Sequence, residues 1–140
     1  MRSLRTGFAL PIAFMMTAGG AHAAQPITGQ WVTQGGKGLV EIAPCGRALC
    51  GKILKILKAD PGKPTNDVKN PDSGLRKRPI TGITIVSGLA DAGSVWKGRI
   101  YDPTSGKTYD SKVSRNADGT LNVAGCVMIF CQSQTWTPAR

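Results

Sequence analysis

The chain has 140 residues and a formal net charge of +10, from 18 lysines and arginines against 8 aspartates and glutamates. This length predicts a single domain that buries a core with little area to spare. The 18 glycines and 9 prolines argue against a helical protein and are typical of many short strands joined by tight turns.

The first 23 residues have the pattern of a cleavable export signal. Arg2 and Arg5 precede an apolar stretch over Gly7–Ala18, and the small residues after it end in Ala21-His22-Ala23. This is the order of a secretory signal peptide, and its apolar stretch is shorter than the roughly 20 residues that span a bilayer. We therefore predict cleavage after Ala23, a periplasmic or secreted protein and no transmembrane helix. A buried amphipathic helix is the alternative.

Cleavage would change the chemistry available to the remaining domain, residues 24–140. It would remove His22, the sole histidine, and would lower the net charge from +10 to +8, because Arg2 and Arg5 leave with it. Histidine is the usual general base near neutral pH and the commonest metal ligand. We therefore expect no Ser-His or Cys-His catalysis, no histidine-based zinc site and no cofactor, and we predict that the protein is not an enzyme.

Eight segments have the alternation or the β-branched composition of short strands, which predicts seven or eight strands. The third is so densely apolar that a helix is an alternative there. Turn sequences such as Asp102-Pro103-Thr104-Ser105-Gly106 separate the segments. Their order predicts an all-β fold, a small antiparallel meander that closes into a barrel and so exposes no sheet edge. The segments are Gly29–Trp31, Leu39–Ala43, Leu49–Leu57, Thr81–Val86, Ser94–Tyr101, Thr108–Ser114, Thr120–Cys126 and Gln132–Thr137.

Four cysteines remain after the predicted cleavage, as two closely spaced pairs. In an oxidising compartment an even number of cysteines predicts disulfides. We favour Cys45–Cys50 and Cys126–Cys131 among the possible connectivities, because each bond would close a hairpin tip. The alternative is a tetrathiolate zinc site, whose common ligand spacing is shorter. A redox pair is less favoured, since neither spacing matches the thioredoxin-like motif.

The segment Lys58–Arg78 lacks strand periodicity, and such a long loop in a compact domain is usually functional or disordered. Asn70-Pro71-Asp72 predicts a short helical turn within it, with Asn70 as the N-cap. Over Lys52–Arg78 there are eight basic and three acidic residues. This excess favours anionic partners or a solvated basic surface. Nucleic acid is not expected, because the basic run lacks interleaved aromatic residues.

Candidate ligand-binding or lid residues lie in this loop and on the predicted strands. The polar loop residues would form a carboxylate or phosphate clamp, or else would cap turns and pin the loop to the barrel through Asp–Arg pairs. The set is Asp67, Asn70, Asp72, Arg76, Arg78, Trp31, Trp96 and Tyr101.

Four apolar residues, Val127–Phe130, lie between Cys126 and Cys131, where a hairpin tip is usually polar. An exposed tip of this kind would be a contact for a membrane or a partner protein. The alternative is that the tip folds over the barrel mouth and plugs the core. The sequence favours neither over the other.

The triplet Gly29-Gln30-Trp31, just after the predicted cleavage site, resembles the first strand of lipocalin-like barrels. In those barrels the indole lies across the closed end, and an arginine from a late strand packs on it. The resemblance implies that Arg140, shortly after Trp136, makes this cation–π contact. The predicted fold is thus a lipocalin-like barrel with one long basic loop.

A set of segments in order resembles a family of exported bacterial proteins called domain of unknown function 2147. The resemblance covers nearly all of residues 24–140 and implies a compact exported β-domain without an established activity. One departure is at the end, where the family pattern is Trp-Thr-Arg but Pro138 and Ala139 precede Arg140 here. The matching segments are Gly29–Trp31, Cys45–Ile53, Asp67–Asp72, Leu75–Gly82, Trp96–Pro103, Gly106–Tyr109, Gly125–Cys126 and Gln134–Thr137.

Three functions are compatible with these patterns. The leading hypothesis is a cell-envelope binding module that holds a small or lipid-like ligand in the barrel, with Lys58–Arg78 as a lid. The second is an envelope interaction protein that uses the basic loop and the Val127–Phe130 tip on anionic surfaces or a protein partner. The third, an enzyme built on Asp67 and Asp72, is disfavoured because nothing in the sequence positions a nucleophile.

Overall fold

The computed structural model describes residues 7, 9, 11–13 and 23–140, so the predicted signal peptide lies almost wholly outside the described residues. Within them, eight strands form a closed barrel in chain order. The strands are β1 Gly29–Val32, β2 Gly38–Cys45, β3 Ala48–Ile56, β4 Thr84–Asp91, β5 Trp96–Asp102, β6 Lys107–Arg115, β7 Leu121–Val127 and β8 Phe130–Pro138. The described helical structure is two single 3-10 turns, Gln34–Gly36 and Ser73–Leu75.

Each strand pairs antiparallel with the next strand in the chain, and β8 pairs back with β1. The closing pair is short, with Trp31 opposite Pro138 and Val32 opposite Thr137. The predicted antiparallel meander closed into a barrel is therefore confirmed. The densely apolar third segment forms β3 and not a helix, and it pairs with β2 along its whole length.

The fourth predicted segment, Thr81–Val86, has the wrong boundaries at both ends. Its first residues belong to a turn, in which the Gly82 amide donates to the Ile53 carbonyl oxygen at 2.7 Å. The strand also continues past the predicted end, to Asp91. It passes through Gly88, whose φ of 61° is a conformation that favours glycine. The register of the β4–β5 pair shifts at this point, as at a β-bulge.

The turns of a meander alternate between the two ends of the barrel. Residues 24–28 cross one end, where the Trp96 indole donates to the Gln25 carbonyl oxygen at 2.8 Å and Arg115 donates to the Pro26 carbonyl oxygen at 3.1 Å. We call this the closed end. The opposite end, which carries the β1–β2, β3–β4, β5–β6 and β7–β8 connections, is the open end.

The hydrophobic core fills the barrel mainly on the side of the closed end. Alternate residues of each strand point inward, as the pleat requires, and the N-terminal crossing adds one more apolar side chain. Burying one large aliphatic side chain contributes about 1.5–3 kcal/mol. The largest fully buried apolar side chains are Trp136, Ile27, Ile42, Leu89, Leu121, Val40, Val86 and Val113.

Trp31 lies at the closed end, as the Gly-x-Trp resemblance implies, but its cationic partner differs from the expectation. The Arg115 guanidinium lies 5.7 Å from the centre of the Trp31 ring, whereas Arg140 is exposed beyond β8. The expected Trp31–Arg140 contact is therefore wrong. The reason is that the chain after β8 stays along β1, where the Ala139 amide donates to the Gln30 carbonyl oxygen at 3.0 Å.

The predicted helical turn in the long loop exists, but it begins later and has a different cap. It is the 3-10 turn Ser73–Leu75, and the Asp72 Oδ1 atom accepts a hydrogen bond from the Gly74 amide at 2.9 Å. Asn70 instead makes a local turn, since its Oδ1 atom accepts from the Asp72 amide at 2.8 Å. The prediction of Asn70 as the N-cap is therefore wrong, because its side chain binds the amide that precedes the helical turn.

Both predicted disulfides are present in the structure. Cys45–Cys50 closes the β2–β3 hairpin at the closed end, with Cα atoms 5.8 Å apart. Cys126–Cys131 closes the β7–β8 hairpin at the open end, with Cα atoms 4.0 Å apart. All four cysteine sulfurs are thus bonded in pairs, in place of the tetrathiolate alternative. Among the described residues, no helix has the length and apolar character that a membrane crossing needs.

Candidate functional site

A cavity of about 390 Å³ lies at the open end of the barrel. Its wall includes residues of β2, β3 and β4 and the two ends of the β3–β4 loop, and the β1–β2 and β5–β6 turns border it. The volume falls in the range of roughly 300–1,000 Å³ that is typical of small-molecule sites. The hydrophobic core therefore gives way to a recess toward the open end.

The wall of the cavity is mainly apolar. Val40 on β2 lies directly opposite Ile53 on β3, and cross-strand partners project from the same face of a sheet. Ile85 on β4 is also in the wall and is buried, at a point where the register of the β3–β4 pair shifts as at a β-bulge. The remaining apolar lining comes from Ile56, Ala59, Pro64, Val68, Ile80 and Pro103.

The rim of the cavity is basic. Four lysines and one aspartate are among the lining residues: Lys37, Lys58, Lys63, Lys69 and Asp60. Lys37 and Lys63 both contact the Oδ2 atom of Asp60, at 3.4 Å and 3.3 Å. Hydrogen bonding to Lys63 and the charge of Lys37 lower the pKa of Asp60. The three side chains tie the β1–β2 turn to the β3–β4 loop across the rim.

The β3–β4 loop is held in place by a buried carboxylate, Asp67, which is 0% exposed. Its Oδ1 atom accepts a hydrogen bond from the Tyr101 hydroxyl at 2.5 Å. Its Oδ2 atom accepts from the Asn70 amide at 2.8 Å and from two nitrogens of Arg78, Nε at 3.0 Å and Nη2 at 2.9 Å. Both oxygens of the buried carboxylate thus have hydrogen-bond partners.

These contacts fix the protonation states of Asp67 and Tyr101. Burial raises the pKa of Asp67, but the hydrogen bonds from Tyr101, Asn70 and Arg78 outweigh it, so that the pKa lies below its ordinary value. Burial and the adjacent carboxylate raise the pKa of Tyr101 to about 12. Near neutral pH, Asp67 is therefore ionised and Tyr101 is protonated, which is the combination that the hydrogen bond requires.

Backbone contacts hold the same loop against the barrel. The Asp67 amide donates to the Arg78 carbonyl oxygen at 2.9 Å, and an isolated bridge pairs Asn66 with Pro79. Gly106 in the β5–β6 turn packs directly against the Lys69 backbone, so closely that a Cβ atom would overlap the Lys69 carbonyl group. The loop segment that lines the cavity is therefore a built wall.

The structure brings four of the eight predicted site residues together, in the Asp67 cluster with Asn70, Arg78 and Tyr101. Asp72 caps the 3-10 turn, and Arg76 Nε donates to the Asn70 carbonyl oxygen at 2.8 Å. Trp31 and Trp96 lie at the closed end. None of the eight is among the residues that line the cavity. The contacts match the structural alternative, in which these residues pin the loop, and a direct role in ligand binding stays a prediction.

The lining residues that the sequence did not single out are Val40, Ile53, Ile85 and the lysines around Asp60. The strand alternation does place Val40 and Ile53 on inward faces. No pattern in the sequence indicates where the inward side chains cease to pack against one another. The position of the cavity could therefore not be predicted. The basic character of the loop was visible, but its contribution to a rim was not.

The β7–β8 hairpin tip is exposed at the open end. The exposed fractions are 57% for Val127, 90% for Met128, 87% for Ile129 and 76% for Phe130. The alternative in which this tip plugs the core is therefore wrong. The Cys126–Cys131 disulfide closes the hairpin next to the tip, and Met128 within the turn has a φ of 55°.

The acidic residues and cysteines of the described part of the chain form no group of three or more suited to a metal ion. Asp67 and Asp72, on which the enzyme alternative rested, both accept hydrogen bonds, Asp67 from the Tyr101 hydroxyl on β5 and Asp72 from the Gly74 amide within the loop. The candidate site is accordingly the apolar recess with its basic rim.

The family model described as "Uncharacterized protein conserved in bacteria (DUF2147)" matches residues 29–138, from the start of β1 to the end of β8. The chain belongs to this family. The suspected family is thus confirmed, and the match carries no activity with it. No curated protein is significantly similar to the chain.

A solved structure with the same architecture is the Helicobacter pylori protein HP1028, which is described as belonging to the lipocalin family. The TM-score is 0.70 at 24% sequence identity, and the match covers 82% of this chain and 84% of HP1028. At this identity the likeness concerns the fold alone. The predicted lipocalin-like barrel of this DUF2147 protein is confirmed.

Proposed function

We propose that this DUF2147 protein is a binding module that holds a small, lipid-like ligand in the open-end cavity, outside the cytoplasm and without catalysis. The single observation that carries the proposal is the apolar recess of about 390 Å³ between β2, β3, β4 and the β3–β4 loop. An apolar ligand gains free energy there in proportion to the surface it removes from water. Two disulfides support a location in an oxidising compartment.

The fixed β3–β4 loop supports binding because it provides the wall before the ligand arrives. Ordering a loop on binding costs free energy, and a preorganised site avoids that cost. Asp67, which does not line the cavity, holds the loop to β5 through its hydrogen bond with Tyr101. At the cavity opening, Asp60 holds the loop only through exposed contacts with Lys37 and Lys63. Such contacts are weak, so they can break when a ligand enters the cavity.

The proposal is tested by fluorescence titration with N-phenyl-1-naphthylamine, a neutral apolar dye that brightens in apolar surroundings. We expect saturable binding to the wild type. Ile53→Trp, which fills the recess from β3, should weaken binding by at least about tenfold, or roughly 1.4 kcal/mol. The matched control is Ser133→Trp on exposed β8, which adds the same ring away from the cavity. Equal binding to both variants would refute the site.

The exposed hairpin tip favours a second candidate function, docking on an anionic envelope surface. The tip presents four apolar residues, Val127–Phe130, at the same end as the basic rim. Apolar insertion and electrostatic attraction together strengthen interfacial binding. Co-sedimentation with vesicles that contain phosphatidylglycerol should fall when Met128 and Ile129 are changed to Ser, and should weaken with salt. Sedimentation that is insensitive to both changes would exclude this function.

A further inference from the structure

The charges around the cavity are unbalanced, and they are confined to its rim. Val40 and Ile85 at the base of the wall are buried, whereas Lys37 and Lys63 are about half exposed, each with 55% side-chain exposure. The lining residues include four lysines and one carboxylate. A ligand that fills this site therefore meets apolar surface at depth and ammonium groups at the opening.

The one carboxylate of the rim occupies two of the lysines by itself. Lys37 and Lys63 reach the same oxygen, Asp60 Oδ2, from two different parts of the chain. Lys58 and Lys69 form no ion pair within the described residues. The Asp60 carboxylate thus lies where an anionic ligand group would bind. The rim still has an excess of positive charge, because it has four lysines and one aspartate.

From this arrangement we infer that the ligand is a single-chain amphiphile with an anionic head, whose tail lies against Val40, Ile53 and Ile85 and whose head replaces Asp60 at Lys37 and Lys63. The inference rests on the proposed function and names the chemistry of its ligand. A neutral head gains at most a hydrogen bond from the lysines, which is weaker than the charge-assisted contact of an anion, and a cationic head is repelled by them. Carboxylate and phosphate heads share the required chemistry.

The Asp60 carboxylate allows a test in which a substitution is expected to strengthen ligand binding and not to weaken it. Asp60 competes with the ligand head for the same two ammonium groups. Removing its charge should therefore strengthen the binding of an anionic amphiphile and should leave a neutral amphiphile of the same chain length unaffected. A structural role of Asp60 in shaping the opening would instead change both affinities together.

The experiment compares decanoate, 1-decanol and decylammonium by isothermal titration calorimetry on the wild-type protein, with decyl phosphate as a second anionic probe. We expect decanoate to bind about tenfold more tightly than 1-decanol at low salt, a difference of roughly 1.4 kcal/mol, and decylammonium to bind weakest. The advantage of decanoate should shrink at high salt, because exposed charges are screened. A tighter fit of decyl phosphate than of decanoate assigns the head to a phosphate, and the reverse order assigns it to a carboxylate.

Three variants complete the test. Asp60→Asn should raise the affinity for decanoate several-fold without changing that for 1-decanol, and Lys63→Gln, which removes one of the two ammonium groups that the head contacts, should lower the affinity for decanoate alone. Lys97→Gln, an exposed position near the closed end, is the charge-matched control and should change nothing. Equal affinity for decanoate and 1-decanol, unaltered by Asp60→Asn, overturns the anionic head while the cavity remains a binding site. No binding of any probe overturns the head and the proposed function together.

Discussion

The Tyr101 hydroxyl donates a hydrogen bond of 2.5 Å to the buried carboxylate of Asp67, which lies 34 residues earlier in the chain. Tyr101 is on β5 and Asp67 is in the β3–β4 loop, so the contact joins the longest connection of the barrel to a strand that it does not adjoin in sequence. Arg78 and Asn70 complete the cluster from within the loop. The position of one cavity wall therefore depends on this pair.

Tyr101→Phe should destabilise the protein without removing apolar packing. The change leaves one oxygen of a buried, ionised carboxylate without its partner, and such a loss costs about 1–3 kcal/mol. Urea unfolding measures the free energy change. Tyr109→Phe, on the neighbouring strand β6, is the control, because within the described residues its hydroxyl has no side-chain hydrogen bond. Equal losses in the two variants would mean that the Asp67 contact contributes nothing specific.

The same contact should be visible in a spectroscopic titration. The chain has two tyrosines, so that in Tyr109→Phe the tyrosinate absorbance reports Tyr101 alone. Burial and the Asp67 charge raise the pKa of Tyr101 to about 12, and the absorbance should therefore rise only near that pH in the folded protein. In urea-unfolded protein it should rise near the ordinary value of about 10. Ionisation of folded Tyr101 near pH 10 would contradict the contact.

Asp67 should make the protein sensitive to acid. Its pKa is below the ordinary value in the folded state, because the hydrogen bonds outweigh burial. Its contribution to stability is thus present above the ordinary value of about 4 and is lost as the pH falls through the lower, folded value. The unfolding free energy of Asp67→Asn should lack this part of the decline. Asp110→Asn, which removes an exposed pair with Arg99, should keep it, and parallel curves for all three proteins would refute the assignment.

Gly106→Ala should loosen the cavity wall from the β5–β6 turn. The new Cβ atom would overlap the Lys69 carbonyl group, and the backbone φ of 71° is unfavourable for alanine. Gly119→Ala is the matched control, since its φ of 86° has the same strain but nothing lies within 4 Å of its Cβ. The overlap should add about 1–3 kcal/mol to the loss in Gly106→Ala, measured by thermal unfolding. Equal losses would show that the contact is not tight.

The predicted cleavage after Ala23 should create an ion pair between the new N-terminus and Asp91 at the closed end. The Ala24 nitrogen lies 3.1 Å from each carboxylate oxygen of Asp91, so cleavage would put the new α-ammonium group against that carboxylate. Asp91→Asn should therefore destabilise a chain that begins at Ala24 more than a chain that begins at Ala23, by up to ~1 kcal/mol as for other exposed pairs. The difference should vanish in high salt. A loss that is independent of the starting residue would contradict the ion pair.

The strands could be predicted because burial on one side imposes a period of two on the sequence. On β5 the alternation of Trp96 and Ile100 with Lys97 and Arg99 is clear, and the structure exposes the two basic residues and partly buries the other two. The end of β4 was misplaced because Gly88 interrupts its period with a bulge, and its start was misplaced because Thr81 and Gly82 belong to a turn. The pairing of cysteines five positions apart followed from the expected oxidising compartment together with hairpin geometry.

The candidate site could be predicted only in part, because it depends on contacts between distant segments. Trp31 was identified from its triplet, but its partner Arg115 is set by how residues 24–28 cross the closed end. Asp–Arg pairs in the loop were one of the two alternatives, whereas the pairing of Asp67 with Arg78, and Tyr101 as their partner, depends on the path of the loop. The cavity itself is formed by several segments that face one another, so the sequence of any single strand does not indicate it.

The most direct test of the central claim is an NMR measurement of intermolecular NOEs between bound 1-decanol and the methyl groups of the protein. Occupation of the cavity predicts NOEs from the decanol chain to Val40, Ile53 and Ile85, which lie on three adjacent strands in the wall. NOEs confined to the exposed tip residues Met128 and Ile129, with none to the three wall residues, would contradict the claim that the barrel binds its ligand inside.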